Sequence, residues 1–458
     1  MSDAVSAALH SRVATADGPI ELHPEFLNAL RHIETDGPPV FITGPAGTGK
    51  STLVHYLRET LEKNLAIVAP TGVAALNVGG ETIHAFFRFP PHPPDPGNIR
   101  HVRDRSRYQN LEVLVVDEVS MVRADLLDAM EKFLRVNGPR PDRPFGGVRM
   151  VFVGDLHQLP PVVTRDEESL LRERGYPGPY FHMARSLPAG TLVTCELTRV
   201  FRQEEAHFIR LLHRIRAGTD CDEALAEINR ACVRDDPLPD SHVTLTATNA
   251  AADRINQTCM ARLPGPEIVF EGALSPGFPL DGPRLPSPRR LELRPGAQVM
   301  FTRNDPAGRW VNGSLGTVRD AAGDRVRVRV ISGARKRTLS VERVTWEACS
   351  HAWDPEAKRL KTEVRGTYHQ FPLMPAWAVT IHKAQGKTLD HVLIDLGHGA
   401  FAHGQVYVAL SRCRSLDNIR LRRPLRVWDV IVDPGVREFR EGREANPADG
   451  PRKAGAGH

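Results

Sequence analysis

The fold of the first part of this chain is decided by one loop, Gly44-Pro45-Ala46-Gly47-Thr48-Gly49-Lys50-Ser51. It matches G-x-x-x-x-G-K-[ST] and lies between an apolar run (40–42) and a helix-like segment (51–57), the context that this phosphate-binding motif requires. Backbone N–H groups of such a loop wrap phosphates, and Lys50 adds a positive charge. A glycine-rich helix cap without a ligand would need neither Lys50 nor Ser51. We therefore predict a nucleoside-triphosphate site in which Ser51 holds Mg²⁺.

A second apolar run (113–116) ends in two acids, Asp117 and Glu118. Alone, such a pair is usually a helix cap or a solvated strand end. Downstream of a phosphate loop, one carboxylate can serve the metal and the other can polarise water. We predict that Asp117 coordinates Mg²⁺, directly or through water, and that Glu118 is the general base.

Four apolar runs, at 40–42, 65–68, 113–116 and 150–153, alternate with amphipathic segments. This pattern predicts a parallel α/β sheet, since buried parallel strands are apolar on both faces. A polar motif follows each run. Because ligands of open α/β sheets bind at the carboxyl ends of the strands, we expect the motifs to share one site.

Length and composition set broad limits. The 458 residues suggest roughly three domains, and the net charge of +5 permits a nucleic-acid partner without demanding one. Six scattered cysteines with no C-x-x-C pair indicate a reducing compartment rather than disulfides or zinc. The sequence shows neither a secretion signal nor an apolar run of about 18 residues. We expect a soluble cytoplasmic protein with no membrane partner.

The domain organisation is predicted from changes in composition. A first α/β lobe is assigned to residues 1–191, with a short Pro-rich surface insertion near 88–108. A second α/β lobe is assigned to 192–300 and 371–440, interrupted by a small β domain at 301–370. Residues 441–458, rich in Gly, Pro and charge, are predicted to be a disordered tail.

Further motifs follow one another in a fixed order. They are Ala69-Pro70-Thr71-Gly72-Val73-Ala74-Ala75-Leu76-Asn77 with Thr82-Ile83-His84, Asp117-Glu118-Val119-Ser120-Met121, Pro144-Phe145-Gly146-Gly147, Gly154-Asp155-Leu156-His157-Gln158-Leu159-Pro160-Pro161-Val162, Val200-Phe201-Arg202-Gln203, Thr380-Ile381-His382-Lys383-Ala384-Gln385-Gly386-Lys387-Thr388 and Tyr407-Val408-Ala409-Leu410-Ser411-Arg412. From about 40 to 414 the chain resembles the petite-integration-frequency (Pif-type) DNA helicases of superfamily one, relatives of RecD.

The resemblance implies two RecA-like P-loop lobes with parallel sheets, plus a small β-barrel insertion in the second lobe. It implies an ATP-dependent DNA helicase that binds ATP with Mg²⁺ between the lobes and moves 5′-to-3′ on single-stranded DNA. Forked or DNA·RNA hybrid duplexes would be unwound. The alternative is a DNA-stimulated ATPase subunit that remodels a recombination or repair complex without unwinding. Protein partners are not indicated.

The resemblance also implies roles in hydrolysis. Gln158 is similar to the family's γ-phosphate sensor, and Arg202 and Arg412 resemble the arginine fingers of the second lobe. For an isolated arginine, a surface ion pair would be the alternative. Thr52, Gln385 and Gly386 are expected to join the loop residues 44–51 in binding ATP. A generic P-loop kinase would leave Gln158 and both arginines without roles.

Six residues occupy positions at which the family contacts DNA: Thr71, His84, Thr248, Asn249, His382 and Lys383. Thr71 is predicted to cap a helix whose free N–H groups hold a DNA phosphate, or to cap it without a ligand. For both histidines, a role in the core or in support of a neighbouring residue stays open. Phe86 and Phe87 are predicted to be core residues rather than base-stacking residues.

The predicted β insertion is basic. Residues 284–343 contain 14 basic and 5 acidic side chains, which is a net charge of +9. This favours a surface that faces DNA phosphates. Equally, Arg325, Arg327 and Arg329 can be the solvated face of a hairpin, since sheets normally expose their charges.

One departure from the family concerns the nucleobase. The family carries a glutamine shortly before the P-loop that reads adenine, whereas this chain has no glutamine before Gln109. Leu27 occupies roughly that place. We therefore expect that NTPs other than ATP are accepted.

Overall fold

The structure is a computed structural model that describes residues 14–15, 18–19, 23–90, 95–203, 205–236, 238, 242–280, 282–332 and 335–444. Its strands, in chain order, are β1 (Ala14–Thr15), β2 (Gly18–Pro19), β3 (Val40–Thr43), β4 (Leu65–Ala69), β5 (Glu81–Thr82), β6 (Val113–Val116), β7 (Arg149–Val153), β8 (Val193–Glu196), β9 (Val243–Thr246), β10 (Ile268–Glu271), β11 (Ala273–Leu274), β12 (Arg290–Leu293), β13 (Gln298–Phe301), β14 (Leu315–Ala322), β15 (Arg325–Ser332), β16 (Arg335–Val341), β17 (Val344–Asp354), β18 (Arg359–Gln370), β19 (Leu373–Pro375), β20 (Ala378–Thr380), β21 (Val392–Asp395) and β22 (Ile419–Leu421).

The α-helices of the described residues are α1 (Pro24–Glu34), α2 (Lys50–Thr60), α3 (Gly72–Val78), α4 (Ile83–Phe87), α5 (Ser106–Gln109), α6 (Ala124–Asn137), α7 (Arg165–Glu173), α8 (Ala206–Ala217), α9 (Cys221–Cys232), α10 (Asn249–Ala261), α11 (Ile381–Ala384), α12 (Gln405–Leu410) and α13 (Pro434–Glu444). Among these residues, no helix has both the length and the apolar character that a membrane span requires.

The first parallel sheet has six strands in the order β5-β4-β6-β7-β3-β8. Its central strands β3, β6 and β7 are the predicted apolar runs, and every one of their residues is buried. Aliphatic side chains on both faces pack beneath covering helices, as a parallel sheet requires. The prediction of a parallel α/β fold is confirmed.

The predicted start of the second lobe at 192 is wrong. Strand β8 pairs in parallel with β3, so it completes the first sheet. Cys195 and Leu197 pack into the same core as Phe26 of α1. A four-residue strand carries little periodicity, so its partner could not be inferred from the sequence.

The second parallel sheet has four strands in the order β20-β9-β21-β22. Its core joins strands β9 and β21 to helices α8, α9 and α12. The sheet is assembled from segments on both sides of the antiparallel insertion, as expected. The chain therefore contains two parallel α/β lobes.

The inserted β region is larger than the predicted 301–370. An antiparallel sheet, β16-β15-β14-β13-β19, begins at Gln298 and ends at Pro375. Strands β10 and β12, which lie in the range assigned to the second lobe, pair antiparallel and share its apolar core. Short apolar strands look alike in parallel and antiparallel sheets, which explains the misplaced boundary. Closure of this sheet into a barrel stays a prediction.

The long hairpin of β17 and β18 reaches the first lobe. The backbone N–H of His351 donates to Glu81 Oε1 at 2.6 Å, and that of Leu360 donates to Asn64 Oδ1 at 3.0 Å. At the base of the hairpin, Trp346 and Tyr368 belong to an apolar cluster that includes Leu76 of α3. The insertion thus contacts both lobes.

Two predictions about irregular segments need correction. The predicted surface insertion near 88–108 ends inside the core, because Tyr108 is buried and donates to Phe86 O at 2.6 Å. Residues 91–94 of its Pro-rich part lie outside the described residues. The predicted tail at 441–458 begins too early, because α13 extends to Glu444 and buries Val436 against the first lobe. Residues 445–458 lie outside the described residues.

Candidate active site

The phosphate loop connects β3 to α2 and packs closely against its surroundings. Gly47 has φ of +85°, and a Cβ built there would lie 2.6 Å from Arg202 Cβ, so only glycine fits. The Lys50 ammonium donates to Gly44 O at 2.7 Å and to Pro45 O at 2.9 Å. Burial lowers the pKa of Lys50, against the charges of Asp155 and Glu118. The loop therefore holds a half-buried amine directly over its own backbone.

The two acids after β6 differ in exposure: Asp117 is buried, whereas Glu118 is half-buried. Burial and the neighbouring charge of Glu118 raise the pKa of Asp117 to about 7. Burial also raises the pKa of Glu118, whose backbone adopts a left-handed conformation (φ 49°, ψ 42°). Such strain in a residue other than glycine is characteristic of functional sites. Across the cleft, Gln385 Nε2 donates to Glu118 Oε2 at 3.1 Å.

The loop after β7 contains Gln158, the predicted γ-phosphate sensor. Its Nε2 donates to Asp155 Oδ2 at 3.3 Å. Asp155 is buried, and its Oδ1 pairs with Arg216 of α8 at 3.0 Å. Neither Asp155 nor Arg216 is among the site residues predicted from the sequence. Asp155 lies two residues after the buried strand β7 and so carries nearly the signal that identified Asp117, whereas nothing local distinguishes Arg216.

Arg202 and Arg412 meet at the second-lobe side of the cleft. Arg202 donates to Ser411 O at 3.3 Å and to Gly386 O at 3.4 Å. The buried guanidinium of Arg412 donates to Val408 O at 2.8 Å and to Ser411 Oγ at 2.7 Å. Burial, and then the charge of Arg202, lower the pKa of Arg412 to about 9.

Tyr407 links the second lobe directly to the phosphate loop. Its hydroxyl accepts a hydrogen bond from the backbone N–H of Ala46 at 2.8 Å. Tyr407 is buried, and burial raises the pKa of its hydroxyl. Tyr407 lies in a motif of the sequence but has no predicted role, because only the folded chain brings it to Ala46.

The donor set fits Mg²⁺ held together with nucleotide phosphates. Ser51 lies exposed in the first turn of α2, and Asp117 offers one buried carboxylate. Among the described residues, no group of three or more His, Cys, Asp or Glu side chains forms a metal site by itself. Mg²⁺ typically takes one or two protein ligands plus phosphates and water. The remaining predicted ATP-site residues, Thr52 and Gly386, lie beside Ser51 and Gln385 in the chain.

The predicted DNA-binding residues follow four strands of the two parallel sheets. Thr71 caps α3 by accepting from Ala74 N at 3.2 Å, and Thr248 caps α10 by accepting from Ala251 N at 3.3 Å. Asn249 and Lys383 are exposed.

The histidines and phenylalanines near these strands are less exposed. Half-buried His84 and His382 have pKa values lowered by burial. Phe86 and Phe87 are buried, as predicted.

The nucleobase side of the loop differs in detail from the prediction. Phe26, rather than Leu27, faces the loop, because a Cβ built on Gly49 would lie 3.5 Å from the ring of Phe26. The exposed ring of Phe201 lies 4.0 Å from the same point. The side chains closest to Gly49 are therefore apolar rings, of which Phe26 is buried and Phe201 is exposed.

Comparisons with known proteins identify relatives of the whole chain. Residues 25–224 match the model of the PIF1-like helicase family. The ATP-dependent DNA helicase Pif1 of Bdellovibrio bacteriovorus is 33% identical over 432 residues, covering 92% of each chain. The human ATP-dependent DNA helicase PIF1 is 34% identical over 418 residues, which cover 88% of this chain and 61% of the human protein.

Solved structures agree with these relatives. Bacteroides sp Pif1 in complex with ADP-AlF4 superimposes with a TM-score of 0.83 at 33% identity, covering 93% of this chain and 98% of that one. The same Bacteroides protein bound to ssDNA gives a TM-score of 0.66 at 32% identity over the same shares. The matches extend over both parallel sheets and the site between them, and the chain therefore belongs to the PIF1-like helicase family of ATP-dependent DNA helicases.

Proposed function

We propose that this ATP-dependent DNA helicase translocates 5′-to-3′ on single-stranded DNA and unwinds forked or DNA·RNA hybrid duplexes. Hydrolysis of Mg-ATP between the two lobes would drive the movement. One observation carries the proposal: the second lobe places Gln385 on Glu118 and Tyr407 on Ala46, both in the nucleotide site of the first lobe. A site shared in this way couples hydrolysis to relative motion of the lobes.

Glu118 would act as the general base. Its half-buried carboxylate is oriented by the Gln385 amide, and burial raises its pKa, which makes it a stronger base. Gln158 would bind both the terminal phosphate and the attacking water. The Lys50 ammonium, now on Gly44 O, needs only a side-chain rotation to reach phosphates bound on the loop.

Arg202 and Arg412 would neutralise the charge that develops on the transferring phosphoryl group. Arg202 already packs against Gly47 of the loop. Ser51 and Asp117 would hold Mg²⁺, which when bound screens the phosphate charges. Thr52, Gln385 and Gly386 would complete the nucleotide contacts.

The proposed DNA path follows the carboxyl ends of the parallel strands. Exposed Thr248, Asn249 and Lys383 offer hydrogen-bond donors and a positive charge to the phosphate backbone. Thr71, His84 and His382 would extend the path across the other strand ends. Bacteroides sp Pif1, which is similar over most of the chain, has been solved bound to ssDNA.

The antiparallel insertion would lie close to this path. Part of its positive charge is neutralised by acidic side chains of the insertion itself, since Arg309 pairs with Asp305 and Arg327 pairs with Asp320. In β15 the valines are buried while Arg325 and Arg327 are exposed. This alternation agrees both with an arginine face that contacts only solvent and with one that faces DNA phosphates. We also propose a cytoplasmic location, which the six free thiols support.

A strand-displacement assay with 5′-tailed, 3′-tailed and blunt duplexes tests the function. We expect ATP-dependent displacement only with a 5′ tail. Displacement only with a 3′ tail would overturn the polarity. ATP turnover that DNA stimulates without any displacement would instead favour the subunit that remodels a complex.

A further inference from the structure

A buried ion pair joins the two lobes beside the nucleotide site. Arg216 lies in the last turn of α8, with 13% of its side chain exposed, and Asp155 follows β7 with none exposed. Nη2 and Nε of Arg216 lie 3.0 and 3.3 Å from Asp155 Oδ1. Two donors on one oxygen define the position of the carboxylate more strictly than a single contact would.

The other oxygen of Asp155 orients Gln158. An ionised carboxylate only accepts hydrogen bonds, so the amide nitrogen of Gln158, 3.3 Å from Oδ2, must face Asp155. Its carbonyl oxygen is then directed away from Asp155. That is the atom required to accept a hydrogen bond from an attacking water, whose proton passes to Glu118.

The charges around Asp155 keep it ionised. Burial alone would raise its pKa, but the charges of Arg216 and Lys50 outweigh burial and lower the pKa below its usual range. A protonated Asp155 could donate to the carbonyl oxygen of Gln158 and allow the amide to turn over. The charge of Arg216 therefore helps to determine which end of the amide faces the nucleotide.

The second lobe also supports the backbone of this loop. A Cβ built on Gly404 would lie 2.5 Å from His157 O and 2.6 Å from Gln158 O, so the loop rests on the start of α12. His403 Nε2 donates to Leu156 O at 2.7 Å. Side chain and backbone of the Gln158 loop thus both depend on the position of the second lobe.

We propose that Arg216 is a positioning residue for hydrolysis, which through Asp155 holds the Gln158 amide in its working orientation only when the second lobe is docked. The inference rests on the proposed function of Gln158 as the γ-phosphate sensor. Separation of the lobes removes Arg216 from Asp155 and frees the amide. ATP can then bind without being hydrolysed.

The test is steady-state ATP turnover with saturating single-stranded DNA, measured for R216Q, R216K, D155N, Q158A and the double variant R216Q/Q158A. Melting curves and binding of a fluorescent ATP analogue are recorded for each variant, because removal of one partner of a buried ion pair destabilises the protein. R216K retains the positive charge and replaces R216Q in the test if R216Q does not fold. The matched control is R214Q, on the same helix, where Arg214 pairs with exposed Glu223.

We expect R216Q and D155N to lower kcat by about 10²-fold with little change in KM for ATP, since slight misplacement of a catalytic group has this effect. R216K should recover part of the loss, and R214Q should stay within about twofold of the wild type. The double variant should be no slower than Q158A, because Arg216 acts through Gln158.

The inference would be overturned if the double variant lost kcat by the product of the two single losses. It would also be overturned if a folded R216Q turned over ATP like the wild type, or if R216Q changed only KM. A wild-type protein that hydrolyses no ATP in the presence of DNA would instead overturn the proposed function.

Discussion

The side-chain amide of Gln385, next to helix α11, lies 3.1 Å from the carboxylate of Glu118 at the end of strand β6. The two residues are 267 positions apart and lie in different lobes, Glu118 after strand β6 and Gln385 after helix α11. The group proposed as general base is therefore oriented by the other lobe. Closure of the lobes can in this way control the carboxylate proposed to activate the attacking water.

Glu118→Gln and Lys50→Ala should both abolish ATP turnover but differ in ATP binding. Loss of a general base costs about 10²–10⁴-fold in rate and leaves the phosphate ligands intact. Loss of Lys50 removes a phosphate ligand itself. Turnover and binding of a fluorescent ATP analogue measure the difference, and equal losses of affinity would refute these assignments.

Gln385→Ala should move the acidic limb of the pH profile of kcat to higher pH. Burial raises the pKa of Glu118, whereas the hydrogen bond from Gln385 lowers it. Removal of the amide raises the pKa further, so the base becomes protonated at a higher pH. Turnover measured from acidic to neutral pH reports the shift. An acidic limb that coincides with that of the wild type would show that Gln385 does not act on Glu118.

Tyr407→Phe should destabilise the nucleotide-free protein and increase its stabilisation by nucleotide. The variant leaves the buried N–H of Ala46 without its acceptor, which costs about 1–3 kcal/mol. A phosphate on the loop supplies a new acceptor. Melting temperatures with and without a non-hydrolysable ATP analogue measure both effects.

The matched control is Tyr368→Phe, which loses a buried hydrogen bond to Ser287 O far from the loop. It should lower the melting temperature without changing the response to nucleotide. The same response in both variants would contradict the assigned role of Tyr407.

The protein should hydrolyse several NTPs with kcat/KM values close to that of ATP. Beside Gly49 the exposed ring of Phe201 offers a stacking surface rather than a base-reading amide, and stacking accepts any base. Leu27→Gln should leave the selectivity unchanged because Phe26 faces the loop. Kinetics with ATP, GTP, CTP and UTP test both expectations. A strong preference of the wild type for ATP would show that another group reads adenine.

Local sequence signals predicted the elements that depend on them. The central strands of the first sheet are apolar on both faces, and the loop 44–51 carries its chemistry within eight residues, so both were recognisable in the sequence. The α/β fold of the second lobe was predicted from changes in composition and from the family resemblance. Burial of Phe86 and Phe87 also followed from their local pattern.

Long-range partners were not predictable in this way. Strand β8 pairs with β3, and the hairpin of β17 and β18 contacts Glu81. The sequence of each segment by itself does not indicate its partner. Arg216 resembles any helical arginine until the fold brings it to Asp155. The predicted boundary of the insertion differs from the observed one near Gln298, because short apolar strands occur in both parallel and antiparallel sheets.

Directional movement along one DNA strand tests the central claim most directly. Single-stranded oligonucleotides carrying streptavidin on biotin at either the 3′ or the 5′ end are incubated with the protein and ATP, and the release of streptavidin is followed. We predict ATP-dependent release from the 3′ end, none from the 5′ end, and none from either end with Glu118→Gln. Release from the 5′ end alone, or release that the wild type and Glu118→Gln perform equally, would contradict the account.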